Sequence, residues 1–518
     1  ETLVTTMNEH QAHPKACVLG SVKTMIGHTK STAGVAGLVK AVLALHHRVQ
    51  PPHANVEQPL APITDPSSPV YLLREARPWI AHPDYPRRAG VSAFGFGGTN
   101  FHAVLEEYAA ASVKPQGADR WPCELLILRA ASKSALVEEI ERLRRALVTG
   151  ARPRLVDLAF SYIHRAQARQ ADTACLALVV ESLEQLAAAL ELILNHLRQE
   201  QSLPLPPYIF LGLEAAIKKQ SIAFLFPGQG SQYPNMAREV ALYCPEMRQS
   251  IEFADRCLDA DQLGGRLSSF IYPPASYSDQ EEEEFRLRLT NTQIAQPALG
   301  AIAAGYIDLA ARLGLTPAMT CGHSYGEYVA LYCAGVLSRE DLLNLSATRG
   351  RVMAMACADS NGTMAAVQAA REDLMPHLDG FGQVVIANHN SPSQSVISGP
   401  SQAINEVMDN LNKAGILARL LPVAGAFHSP LVASAQDGME AHLATAELRL
   451  PAIPVYANAT ASPYAAEPDA IRQQLSHHLT SPVNYLGQIE AIYEAGARVF
   501  IELGPKSVLT KLVAQILE

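Results

Sequence analysis

Apolar positions along the chain follow two rhythms. Unbroken apolar runs such as Ile222-Ala223-Phe224-Leu225-Phe226, stopped by Pro227-Gly228, predict buried strands. Stripes recurring every three or four residues predict amphipathic helices, as at Leu136, Ile140, Leu143 and Leu147, and again at Leu183, Leu186, Leu190 and Ile193. Each of these stripes follows a strand-like run, at 124–128 and 175–180, so the middle of the chain reads as a small α/β adapter with no chemistry of its own. Further on, strands at 363–368, 384–387, 395–398 and 416–422 alternate with helices at 372–378 and 402–414. That order, βαββαβ, predicts a ferredoxin-like unit over about 360–424 inserted in a larger α/β body. The rhythm divides the chain into 1–108, 109–220 and 221–518.

Composition narrows the class. A chain of 518 residues suits about three domains, and 48% hydrophobic with 18% charged residues is ordinary for a globular protein. The net charge of −9, from 41 basic and 50 acidic residues, argues against a nucleic-acid surface. The acidic run Glu281-Glu282-Glu283-Glu284 reads as a solvated helix face. Eight scattered cysteines without a CxxC pair suit free thiols in a reducing cytoplasm, with neither a disulfide framework nor a metal site. No apolar run reaches the roughly 18 residues of a membrane span. The opening Glu1-Thr2-Leu3 is unlike a signal peptide, and its lack of an initiator Met suggests a piece of something longer.

One pentapeptide carries candidate chemistry. Gly322-His323-Ser324-Tyr325-Gly326 fits the GxSxG turn, in which a serine hydroxyl projects between a strand and a helix. Flanking glycines let the backbone turn sharply, and the helix N-terminus favours negative charge developing beside the serine. Taken alone, the pentapeptide is equally a helix N-cap serine. A serine nucleophile also needs a base, and the chain offers 17 histidines. His428, in Gly425-Ala426-Phe427-His428-Ser429-Pro430, follows the last strand of the inserted unit, where a loop could return to the main body; a surface histidine is the other reading.

Taken together, the motifs of 221–518 resemble the malonyl-CoA:acyl carrier protein transacylase family, in the form embedded in type I polyketide and fatty acid synthases. The matching residues are Phe226-Pro227-Gly228-Gln229-Gly230-Ser231-Gln232, the Ser324 turn through Glu327-Tyr328, Arg349-Gly350-Arg351, Asn390-Ser391-Pro392, Ala426-Phe427-His428-Ser429-Pro430 and Glu502-Leu503-Gly504-Pro505. The resemblance implies an α/β-hydrolase-like core with the ferredoxin-like insert. It implies Ser324 as acyl-accepting nucleophile, His428 as general base, and an oxyanion hole from the Gln229 loop and the Tyr325 amide. Arg349 would hold the extender's free carboxylate, a role that suits a planar guanidinium able to donate two parallel hydrogen bonds. The histidine would be oriented by a backbone carbonyl from Ser481-Pro482-Val483-Asn484, with Asn484 placed near the base. Phe427 beside the acyl α-carbon implies malonyl rather than methylmalonyl, with Gly425, where His is commoner, loosening the pocket. Malonyl-CoA would be the substrate and a carrier protein's phosphopantetheine the acceptor, with no bound cofactor.

The front of the chain resembles the C-terminal part of a thiolase-like β-ketoacyl synthase. Ser21-Val22-Lys23-Thr24, Ile26-Gly27-His28-Thr29 and Phe94-Gly95-Phe96-Gly97-Gly98-Thr99-Asn100-Phe101-His102 carry that likeness. Lys23 and His28 match the active-site lysine and second catalytic histidine, but nothing supplies the family's cysteine, so condensation is not expected from this chain alone. Expected partners are the rest of that synthase and a carrier protein. Local details resemble iterative bacterial synthases, which make glycolipid chains, polyunsaturated fatty acids or enediynes. The competing functions are a Ser–His thioesterase and a non-catalytic carrier-docking module.

Overall fold

The computed structural model describes residues 1–95, 97–108, 121–169, 172–199, 204–213, 221–423 and 425–518. They fall into two units, Glu1–Gly117 together with Lys219–Glu518, and Ala118–Lys218. The segments 1–108 and 221–518, far apart in sequence, thus share one unit.

In the front segment, helix α1 (Ala33–His47) packs by its glycines against strand β1 (Arg88–Phe94), which forms a hairpin with β2 (Asn100–Glu106). Its apolar residues are poorly covered: Val35, Val39, Val42 and Leu43 of α1 and Phe94, Phe101 and Val104 of the hairpin are exposed. Buried Arg87 ties this segment to the body. Its guanidinium donates to both oxygens of Glu107 at 2.9 and 2.7 Å and also pairs with Glu252.

The second unit is an antiparallel sheet of β3 (Glu124–Ala130), β4 (Ala174–Val180) and β5 (Ile209–Gly212) with helices α2 (Lys133–Val148), α3 (Leu155–Ala168) and α4 (Leu183–Gln199). Helix α2 opens where Ser132 Oγ accepts the Ala135 N–H at 3.2 Å, and it buries the predicted stripe Leu136, Ile140, Leu143 and Leu147. Helix α3 and strand β5 are not foreshadowed by the sequence pattern. The buried face of α3 is Ala159, Tyr162 and Ala166 while Phe160 is exposed, so its apolar stripe is faint.

The body is built on a four-stranded parallel sheet. Its strands are β6 (Ile222–Phe226), β7 (Met319–Gly322), β12 (Val455–Tyr456) and β14 (Val499–Glu502), in the order β12-β7-β6-β14. Around it pack α5 (Pro245–Cys257), α6 (Thr292–Arg312), α7 (Gly326–Cys333) and α8 (Arg339–Asp359). Among the described residues, α6 alone is long and apolar enough to cross a membrane, and it is mostly buried against α5 and α8.

Between α8 and β12 the chain runs β8 (Gly362–Val367), α9 (Arg371–Leu378), β9 (Val385–Ser391), β10 (Gln394–Pro400), α10 (Ser401–Lys413) and β11 (Ala418–Leu420). These strands form an antiparallel sheet ordered β11-β8-β10-β9, with β13 (Val483–Asn484) added parallel to β9. The loop after β11 carries His428. The acidic run Glu281–Glu284 lies on the helix Asp279–Thr290, with Glu282, Glu283 and Glu284 exposed.

Candidate active site

Strand β7 ends at Gly322 and helix α7 begins at Gly326, so Ser324 occupies the turn between them, with φ at 50°. A non-glycine residue in this left-handed region carries strain that its surroundings must hold. Neither flanking glycine has room for a side chain. A Cβ on Gly322 would lie 2.0 Å from the Gly326 carbonyl carbon, and one on Gly326 would lie 1.9 Å from the Phe226 oxygen.

Ser324 Oγ lies 2.7 Å from His428 Nε2. On the other side of the ring, His428 Nδ1 is 2.8 Å from the Ser481 carbonyl. That oxygen only accepts, so Nδ1 carries the proton and Nε2 is left to accept from the Ser324 hydroxyl. Burial, aided by the nearby Arg349 charge, pushes the imidazole down to about 3, so it stays neutral at ordinary pH.

Asn484, expected near the base, does not touch it. Its side chain accepts the Gly487 N–H at 3.1 Å to cap the helix Tyr485–Glu494, and its own N–H donates to the Asn458 carbonyl. The carbonyl that orients His428 comes from Ser481, three residues earlier.

Gln229 and Tyr325 flank the nucleophile through their main chains. The Gln229 loop presses on the serine turn, since a Cβ on Gly228 would meet the His323 oxygen at 2.4 Å and Ser324 Cβ at 3.6 Å. The Gln229 side chain turns away, donating to Thr292 Oγ1 at 3.1 Å, and the buried Tyr325 hydroxyl pairs with Ser346 Oγ at 2.6 Å. Neither backbone N–H has an acceptor among the described residues.

Arg349, on α8, is 1% exposed, and its Nε and Nη2 have no hydrogen-bond partner among the described residues. Its guanidinium lies 5.4 Å from the centre of the Tyr328 ring, and its charge acts on His428, Tyr325 and Glu327. A buried cation with unused donors on Nε and Nη2 is arranged for an anion from outside.

Phe427 is buried in the main core beside His428. Gly425 does not open space: a Cβ there would lie 2.2 Å from Cys357 Sγ, so Cys357 fills the position where a larger residue would sit. At the front of the chain, Lys23 starts a four-residue helix and His28 Nδ1 accepts the Lys30 N–H at 3.0 Å. Both residues are exposed.

Three polar residues given no role from sequence lie behind the serine. Glu327 Oε2 accepts the Asn458 N–H at 2.6 Å, its Oε1 accepts from the Tyr464 hydroxyl, and burial pushes its carboxyl up to about 7. Asn458 Oδ1 accepts the Ser324 N–H at 2.7 Å. Strand register offered one clue. Cys321 pairs with Tyr456, so Asn458, two residues on, falls level with the serine turn. Among the described residues no cluster of His, Cys, Asp or Glu is placed to hold a metal.

A strained serine bonded to a neutral histidine at the end of a parallel sheet defines a serine nucleophile site, of the kind used by acyltransferases and hydrolases. Comparison with known families agrees: residues 223–518 match the acyl transferase domain, and the chain belongs to that family. Residues 1–57 match the β-ketoacyl synthase C-terminal domain and 67–171 the ketoacyl-synthetase C-terminal extension.

Among curated relatives, it is 34% identical to one polyunsaturated fatty acid synthase protein of a Thraustochytrium species, over 98% of this chain and 19% of the relative. It is 32% identical to a spectinabilin polyketide synthase system protein of Streptomyces orinoci, over 100% of this chain and 23% of the relative. The chain thus spans about a fifth of these relatives' length. Among solved structures it is similar to the malonyl CoA-acyl carrier protein transacylase of Coxiella burnetii, at 33% identity and a TM-score of 0.52, covering 57% of this chain and 91% of that one. It is also similar to the acyltransferase domain of an iterative polyketide synthase in enediyne biosynthesis, at 27% identity and a TM-score of 0.57, covering 76% and 88%.

Proposed function

We propose that this acyltransferase moves a malonyl unit from coenzyme A to the phosphopantetheine thiol of an acyl carrier protein, through an ester on Ser324. The observation that carries this reading is the buried Arg349 guanidinium near His428, whose Nε and Nη2 have no hydrogen-bond partner among the described residues. A malonyl group has a free carboxylate to fill it, and an uncharged acyl chain does not.

The residues support a two-stage proton shuttle. In the first stage the Ser324 oxygen attacks the thioester carbonyl as its proton passes to His428 Nε2. The oxyanion is met by the main-chain N–H groups of Gln229 and Tyr325. As the carbon–sulfur bond breaks, His428 returns the proton to the departing sulfur. In the second stage the carrier thiol gives its proton to His428, attacks the ester, and Ser324 regains its hydroxyl proton. The Ser481 carbonyl holds the imidazole throughout and steadies its transient positive charge.

Phe427 supports selection of malonyl over methylmalonyl by overlap with an α-methyl group. The βαββαβ insert is read as ferredoxin-like, and the front segment as the end of a thiolase-like ketosynthase whose exposed apolar faces await the remainder of that domain. Exposed Lys23 and His28 would join its active site only once completed. The synthase is read as an iterative one acting in the cytoplasm, where free thiols such as those of its eight cysteines persist.

Incubation with a mixture of acyl-CoAs followed by mass spectrometry of the intact protein tests this. One malonyl group on Ser324 is expected; acetyl or methylmalonyl in preference would contradict it.

A further inference from the structure

Buried Asn458 spends every polar atom on the two sides of the catalytic pair. Its Oδ1 accepts the Ser324 N–H at 2.7 Å, and its Nδ2 donates to the Gly322 carbonyl at 2.8 Å and to Glu327 Oε2. Its main-chain N–H donates to the same Glu327 oxygen at 2.6 Å, and its carbonyl accepts the Asn484 N–H at 2.8 Å. Three points of the 322–327 turn are therefore fastened to one side chain, while its main chain fastens the segment whose Ser481 carbonyl orients His428.

The amide can face only one way. The Gly322 carbonyl and the Glu327 carboxylate are acceptors and demand the NH₂ group; the Ser324 amide is a donor and demands the oxygen. Glu327, steadied by the Tyr464 hydroxyl, thereby keeps an acceptor against the main chain of a residue in left-handed conformation.

We propose that Asn458 is a positioning residue that sets the Ser324–His428 geometry from both sides, with Glu327 fixing the orientation of its amide. The inference rests on the reading of Ser324 and His428 as the acyl-transferring pair. It assigns Asn458 no contact with substrate, so its loss acts on the chemical step and leaves substrate binding to Arg349.

Asn458→Asp keeps an oxygen for Ser324 but sets a second oxygen against Gly322 and Glu327. Its kcat for malonyl loading is expected to fall about 100-fold with KM within about threefold of wild type, as for a misplacement near 1 Å. A folded Asn458→Asp enzyme at wild-type kcat overturns the proposal. Should Asn458→Asp fail to fold, Tyr464→Phe decides, since it deletes only the hydroxyl on Glu327: a slower kcat at unchanged KM supports the proposal, and a wild-type kcat overturns it. Labelling of Ser324 by a fluorophosphonate, read in parallel, needs neither malonyl nor carrier. Wild type that labels but takes no malonyl would sink the substrate reading alone, and the labelling rates of the variants would still judge Asn458.

Discussion

Ser324 and His428 meet at 2.7 Å from two separate left-handed backbone turns, with φ of 50° and 55°. Neither is a glycine, so both conformations are held against strain by what surrounds them. The serine turn is held by Gly322, Gly326 and Asn458. The histidine is held by the Ser481 carbonyl on its ring and by a main-chain bond from its N–H to the Leu479 oxygen at 3.2 Å.

The depressed His428 imidazole fixes a pH response. Folding lowers its affinity for protons, so between about 3 and the ordinary histidine range of about 6.5 the unfolded chain binds the extra proton and the folded one does not. Its contribution to stability is intact above that window and is lost as pH falls through it. The base is likewise ready throughout, and the rate of fluorophosphonate labelling at Ser324 should stay level from pH 8 to about pH 5. A fall centred near pH 6.5 that survives replacement of Glu327, whose own carboxyl is raised to about 7, would contradict the burial of His428.

Arg349 should cost stability and be required for function. Arg349→Met keeps much of the volume while removing a buried cation whose Nε and Nη2 have no partner among the described residues, so the free enzyme's Tm should rise by a few degrees. Malonyl loading should fall by about 2–5 kcal/mol in kcat/KM, roughly 30- to 5,000-fold, while acetyl-CoA loading changes little. Equal losses for both substrates would show that Arg349 does not read the carboxylate.

Phe427→Ser should widen the acyl pocket at a structural cost. Truncating a buried phenylalanine removes about 3–5 kcal/mol of stability, visible as a lower Tm. The ratio of methylmalonyl to malonyl loading should rise by about 10- to 200-fold, the range of one methyl group in an apolar pocket. An unchanged ratio would place extender choice elsewhere.

Much of this site is legible in the chain because its parts are local. The Ser324 turn announces itself by its glycines, and the stripe from Leu136 to Leu147 is the face that α2 buries. Other parts are set by contacts between distant segments. The Ser324–Asn458 bond spans 134 positions, and only strand register brings the two together. The His428 anchor is a main-chain carbonyl, which leaves no mark on residue type, so the resemblance narrows it to Ser481-Pro482-Val483-Asn484 and only the structure picks out Ser481. Gly425 reads as added room because the sequence cannot show Cys357 already occupying it.

The mechanism turns on an ester on Ser324 that is handed to a carrier thiol. A single-turnover chase tests it most directly: enzyme loaded with labelled malonyl-CoA, freed of excess substrate, is mixed with holo-carrier or with buffer. Label is expected on the carrier within the chase, with little free malonate in buffer and no loading in Ser324→Ala. Rapid release of malonate with none on the carrier would make the enzyme a hydrolase and contradict it.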